Sequence, residues 1–220
     1  MTYKKYTTYV FDMDGVILDS LDNLSSCLKR AVEPFCQSNE QYEEFSKFDR
    51  DNPGLSRFEK TDFFLESLPN KSHINAEKIK QQILDQFDSL SLNARLSSKI
   101  DESTYALTKK IDPRNLILLS NCDNEQLRVI TAHFGFHQIF KGGIIGTPPS
   151  KKTRFKDIVK KIPNGTFVSI SDSESDAIIA RSLGVEFTFI QNFAREQALW
   201  LKQDERRCQT IKEFISSIDQ

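Results

Sequence analysis

The chain has 220 residues, 38% of them hydrophobic, enough for one ordinary core and a smaller companion. Lys and Arg number 30 against 31 Asp and Glu, a formal net charge of -1, which leaves no electrostatic footprint for nucleic acid or an acidic membrane. No apolar run approaches the roughly 20 residues that span a bilayer.

Residues Met1 to Tyr6 lead directly into an apolar strand, with no h-region of a signal peptide, so a cytoplasmic location is expected. The first strand covers about residues 7–12. It ends in Asp12 and Asp14, spaced i and i+2. In extended backbone that spacing puts both carboxylates on one side. Gly15 then permits a sharp turn. Two carboxylates at a strand end can divide labour: one ionised as nucleophile and cation ligand, the other carrying a proton as acid and base. An EF-hand loop also begins Asp-x-Asp, but it needs an oxygen ligand, Gly and Glu at its fifth, sixth and twelfth positions. Counted from Asp12, those are Val16, Ile17 and Asn23.

From Leu21 to about Leu107 the pattern is helical, polar and rich in Phe, with no convincing strand. Apolar residues recur at three- and four-residue spacing over 23–35, 57–68 and 74–89. Beyond Asp112-Pro113 the pattern changes. Leu116–Leu119 reads as a buried parallel strand, followed by a helix over 124–134. A short strand is expected at 143–146, a helix at 151–161, a strand at 166–170 and a helix at 175–183. Gly184 is placed to cap that helix. Residues 185–190 read as the last strand, with two helical stretches closing the chain. This alternation predicts an α/β fold, a doubly wound parallel sheet with its site at the carboxyl ends of the strands.

Further chemistry sits at those ends. Ser120 closes the 116–119 strand, where a hydroxyl and neighbouring N–H groups can hold a phosphate oxygen. Asn121 beside it is a candidate for substrate binding. The same pair would also suit an ordinary turn or helix cap. Lys151, at the end of Gly-Thr-Pro-Pro-Ser-Lys, opens a helix and can neutralise a carboxylate and a phosphoryl group. Lys152 reads as a solvated charge, although the two could exchange roles. The strand at 166–170 delivers Asp172, with Asp176 four residues on. Ser56 and Glu59 form a capping-box pattern around Arg57.

The segment at 11–20 resembles motif I of the haloacid dehalogenase-like (HAD) hydrolases, Asp-x-Asp-Gly followed by an apolar stretch and Asp-Ser. Ser120 resembles motif II, the segment 146–151 a Gly-Ser-Pro-x-Ser-Lys variant of motif III, and the segment 171–176 motif IV. Ser171 departs from the Gly or acid usual there. Asn52 to Lys60 resembles a Gly-x-Ser-Arg loop in the caps of β-phosphoglucomutase-like and related phosphatases. The resemblance covers nearly the whole chain, with the motifs in order. It implies a HAD-like Rossmannoid core at 1–20 and 108–220, and an inserted helical cap at 21–107 in the C1 position.

It implies, too, a Mg²⁺-dependent phosphomonoester hydrolase. Asp12 would be the nucleophile, Asp14 the acid and base, and Ser120 and Lys151 the ligands of the transferring oxygens. Asp12, Asp172 and the main-chain carbonyl of Asp14 would hold the metal, with Asp176 binding the metal's waters or orienting Lys151. Arg57 would touch substrate from a cap that closes and excludes water. The expected substrate is a small phosphorylated metabolite, a sugar phosphate or a phosphoglycolate-like acid, with the protein a monomer or homodimer. A phosphosugar mutase is the alternative within the family; a binding or regulatory protein on a weakened scaffold is the alternative from another class. The acid at Asp14 speaks against dehalogenation. Cys27, Cys36, Cys122 and Cys208 show no zinc spacing and are expected as reduced thiols. His73, His133 and His137 read as surface or packing residues.

Overall fold

The computed structural model describes residues 6–68, 75–195 and 197–218. They divide into two units, one of residues 1–20 with 98–220, the other of residues 21–97.

The first unit is built on a six-stranded parallel sheet. In chain order the strands are β1 (Thr8–Phe11), β4 (Leu116–Asp123), β5 (Gly143–Thr147), β6 (Phe167–Ser171), β7 (Glu186–Ile190) and β8 (Arg206–Cys208). In space the order is β5-β4-β1-β6-β7-β8. β1 is central, with Tyr9 opposite Leu116 on one side and Val168 on the other. Parallel strands need crossovers, which here include α5 (Asn124–His133), α6 (Lys151–Lys161) and α7 (Glu174–Ser182).

Alternation along β1 sends side chains to both faces. Val10 joins Ile117, Leu119, Phe155, Ile158, Ala177 and Phe187 in one apolar cluster. Phe11 points the other way, packing edge-on against Phe140 at 5.9 Å and Phe214 at 5.8 Å. Phe214 belongs to α8 (Ile211–Ser217). Both faces are therefore covered, as a doubly wound sheet requires. Gly184, at φ +67°, ends α7, and Val185 N–H donates back to Ala180 O at 3.0 Å.

The second unit contains α1 (Leu21–Val32), α2 (Asn39–Asp51), α3 (Arg57–Ser67) and α4 (Ala76–Leu96). Leu28, Val32, Phe45, Phe64, Ile83 and Phe87 form its core. Ser38, Ser56 and Asn75 cap the last three helices, Ser56 in a complete capping box with Glu59. One polar network is buried with that core. Lys60 Nζ meets Asp49 Oδ1 at 2.8 Å, and Ser25 donates to Asp49 Oδ2.

Four expectations change. The last strand is β8, not the strand at 185–190. Its residues are Arg206, Arg207 and Cys208, an edge strand without an apolar pattern. The segment 21–107 does contain a strand, β3 (Lys99–Ile100), antiparallel to β2 (Leu18–Asp19). That pairing, with Asp101 N–H on Ile17 O at 2.8 Å, ties residues 98–107 to the sheet unit, so the helical unit ends at Ser97 rather than 107. β4 runs on to Asp123, through the residues read as a turn. The predicted helix at 74–89 begins at Ala76 among the described residues and extends to Leu96; Ile74 and His73 lie outside them.

Candidate active site

Asp12, Asp14 and Asp172 lie just past the carboxyl ends of β1 and β6, Ser120 lies in the last half of β4, and Lys151 opens α6 after β5. Asp12 follows β1, its N–H held by Ile170 O of β6 at 2.9 Å. Asp12 Oδ1 accepts from Met13 N–H at 2.8 Å and lies 3.0 Å from Lys151 Nζ. Gly15, at φ +82°, reverses the chain, and its N–H donates to Leu18 O at 2.9 Å. This tight loop brings Ser20 back to Asp14, whose Oδ1 accepts the Ser20 hydroxyl at 2.6 Å.

Lys151 is the first residue of α6, and Ser150 caps that helix by accepting from Thr153 N–H. Its ammonium bridges two carboxylates, Asp12 at 3.0 Å and Asp176 Oδ2 at 2.6 Å. Lys152 is exposed. The hydroxyl of Ser171 also donates to Asp176 Oδ2. Thus Ser171 does not stand in for an acid; it braces the carboxylate that braces Lys151. Asp172 is buried at the end of β6 and accepts no side-chain hydrogen bond among the described residues.

The electrostatics follow from this packing. Burial raises the Asp12 carboxyl above its ordinary range, with Lys151 pulling the other way. Asp172 is raised well above that range by burial and then by the nearby Asp12 and Asp176 charges. For Lys151, burial favours the neutral amine, but Asp12 and Asp176 outweigh it and hold the ammonium above its ordinary value. The site gathers more negative charge than one lysine balances.

Ser120 lies where β4 slips register against β5, between Leu119 and Asp123. Its Oγ accepts from Cys122 N–H at 3.0 Å. A hydroxyl that accepts still has its own hydrogen to give. Asn121 is exposed at that same irregularity. Arg57 belongs to the helical unit, where its guanidinium pairs with Asp88 at 3.6 Å and lies over the Phe58 and Phe87 rings at 4.6 and 5.6 Å.

One residue escaped the sequence reading. Arg154, one turn after Lys151 on α6, is 4% exposed. Its Nε donates to Pro149 O at 2.7 Å, Nη1 to Ser120 O at 2.7 Å and Ile145 O at 3.1 Å, and Nη2 to Asn121 Oδ1 at 3.2 Å. Burial lowers this guanidinium, while Asp12 and Asp176 act to raise it. In sequence it is a basic residue on a basic helix; the signal that separates it from Lys156 and Lys160 is its place on the apolar face, beside Phe155 and four residues before Ile158.

Among the described residues, no group of three or more His, Cys, Asp or Glu side chains forms a metal site by itself. A hard cation such as Mg²⁺ asks for less: one or two carboxylates, with waters and substrate oxygens completing the shell. Asp12 and the buried Asp172 fit that requirement. Among the described residues no cysteine forms a disulfide, and Cys122 is buried beside Ser120. His133 and His137 are exposed.

The parallel sheet thus presents an Asp-x-Asp turn, a serine, a helix-start lysine and a second acidic turn. No family model matches the chain, and no curated protein matches its sequence. Solved structures match it over nearly the full length. A candidate phosphoglycolate phosphatase from Lactobacillus plantarum aligns at TM-score 0.74 and 13% identity, over 97% of this chain and 99% of that one. A haloacid dehalogenase-like family hydrolase from Streptococcus pneumoniae aligns at 0.72 and 16%, over 97% and 98%. CbbY from Rhodobacter sphaeroides, solved with phosphate, aligns at 0.68 and 12%, over 95% and 96%. The chain therefore has the HAD-like fold, with an α/β core and a helical insertion. No helix among the described residues is long and apolar enough to cross a membrane.

Proposed function

We propose that this protein is a Mg²⁺-dependent phosphomonoester hydrolase acting on a small phosphorylated metabolite, of the sugar-phosphate or phosphoglycolate kind. The observation that carries the reading is Lys151 Nζ, at the start of α6, set between Asp12 at 3.0 Å, just past β1, and Asp176 at 2.6 Å, in the first turn of α7. An ammonium so placed opposes the rise that burial imposes on the Asp12 carboxyl and faces the oxygens of an arriving phosphoryl group.

Met13 N–H and Lys151 both engage Asp12 Oδ1, which leaves Oδ2 as the attacking oxygen. Attack forms the Oδ2–P bond and breaks the bond from phosphorus to the ester oxygen. Asp14, protonated, gives its proton to the departing alkoxide. As a carboxylate it then takes a proton from water, and the hydroxide attacks phosphorus. The bond to Asp12 breaks, inorganic phosphate leaves, and both aspartates return to their starting states. Ser20, bonded to Asp14 Oδ1 at 2.6 Å, holds that side chain in one orientation throughout. Ser120 and Asn121 donate to the phosphoryl oxygens. Mg²⁺, held by Asp12, Asp172 and the Asp14 carbonyl, would offset repulsion between the carboxylates and the phosphate dianion.

The test is hydrolysis of p-nitrophenyl phosphate with magnesium chloride. Wild type is expected to turn it over, with activity lost in Asp12→Asn and in excess chelator. An Asp12→Asn protein working at the wild-type rate would overturn the reading.

A further inference from the structure

Arg154 is buried and spends its donors on oxygens from three separate segments. Ser120 O and Asn121 Oδ1 belong to the slipped end of β4, Ile145 O to β5, and Pro149 O to the turn that opens α6. Those segments carry Ser120, Asn121 and Lys151, the groups assigned above to the phosphoryl oxygens. A guanidinium has donors only, spread in a fixed plane. It therefore decides how the Asn121 carboxamide sits: oxygen toward Arg154, NH₂ end turned away. An NH₂ group is what an anion needs to meet, and a carboxamide turned the other way would offer it an oxygen instead.

Other hydrogen bonds brace the same corner. Gly146 N–H donates to Asn124 Oδ1 at 2.9 Å, and Thr147 Oγ1 donates to Cys122 O at 3.3 Å. Neither reaches Asn121 or the Ser120 carbonyl. Only Arg154, among these, links the β4 end to the turn before Lys151.

We infer that Arg154 is a positioning residue of the anion site: it orients the Asn121 amide and fixes the Ser120 and Lys151 segments relative to each other, without itself touching substrate. The inference rests on the reading of Asn121, Ser120 and Lys151 as the phosphoryl-binding groups.

The experiment is a double-mutant cycle on binding of inorganic phosphate, measured by calorimetry with magnesium chloride present. Asn121→Ala removes an exposed side chain and leaves the fold intact. It is expected to weaken phosphate binding about tenfold, the worth of one hydrogen bond to a charged group. Arg154→Met should weaken it by at least as much. Arg154→Lys keeps the charge but not the fork, and should resemble Arg154→Met. The double variant Asn121→Ala with Arg154→Met should bind about as poorly as Arg154→Met alone, because each change removes the same contact. Losses that multiply would mean Arg154 does not act through Asn121, and would overturn the inference. So would wild-type binding in Arg154→Lys, which also covers the case in which Arg154→Met fails to fold. Either result leaves the hydrolase reading intact provided wild type still hydrolyses p-nitrophenyl phosphate; a wild type that neither binds phosphate nor hydrolyses the ester would sink both.

Discussion

Ser171 donates its hydroxyl hydrogen to Asp176, on Oδ2, the oxygen that also takes the Lys151 ammonium at 2.6 Å. The carboxylate thus has two donors on one oxygen, and its orientation toward Lys151 depends on both. Ser171→Ala removes one donor and leaves a buried carboxylate less well held. The expected result is a kcat for p-nitrophenyl phosphate about tenfold lower, with KM changed far less, since the bond acts on the lysine's aim rather than on substrate contact. Steady-state kinetics at saturating magnesium check it.

Lys151 and Lys152 are adjacent but differ in surroundings, one buried between carboxylates and the other exposed. Lys151→Met should lower kcat by about a hundredfold or more, because it removes the cation facing the transferring group. Lys152→Met should leave kcat within about twofold of wild type, as for a solvated surface charge. Equal losses in the two variants would refute the assignment.

Asp172 holds a raised carboxyl, through burial and two like-charged neighbours. The folded protein therefore keeps that proton to higher pH than the unfolded chain, whose carboxyl titrates near 4. By linkage, metal-free protein loses stability as pH climbs through about 4 and onward to the folded value. Asp172→Asn removes this loss. At pH 7 without metal it should melt about 3 °C higher than wild type, equivalent to about 1 kcal/mol for a chain of this size. Magnesium should raise the wild-type melting temperature and leave the variant's nearly unchanged. Melting curves with and without chelator decide the matter.

In the helical unit, Lys60 and Asp49 are both buried, with Nζ and Oδ1 2.8 Å apart. Lys60→Met leaves the carboxylate in an apolar core without its cation, at a cost of about 3 kcal/mol. Combining it with Asp49→Asn should recover part of that. Urea unfolding of the single and double variants measures both quantities.

How far the sequence could be read depended on the kind of signal. The helix over 151–161 is found at those residues, because its cap, apolar spacing and breaker all fall within a short window. β4 and β6 were visible as apolar runs, since strands covered on both faces need little else. β8 was not, because Arg206 and Arg207 lie on an edge, where one side of the strand faces no neighbour and no apolar pattern is demanded. β3, two residues long, owes its existence to Leu18 and Asp19 far back in the chain. The site divides in the same way. Asp12, Asp14 and Asp172 stand just past β1 and β6, where the apolar runs before them made the strand ends readable. Arg154 was not, for its work lies in which carbonyls the fold brings to it.

β1 is bonded along both edges, to residues 116–118 on one side and 167–170 on the other. As the polypeptide is synthesised, this early segment must wait for two partners that emerge much later, and such distant pairings form slowly. A copy interrupted before residue 167 would lack the strand that receives the Asp12 amide and delivers Asp172. Asp12, Lys151, Asp172 and Asp176 therefore meet only once that strand and the helix after it have been made.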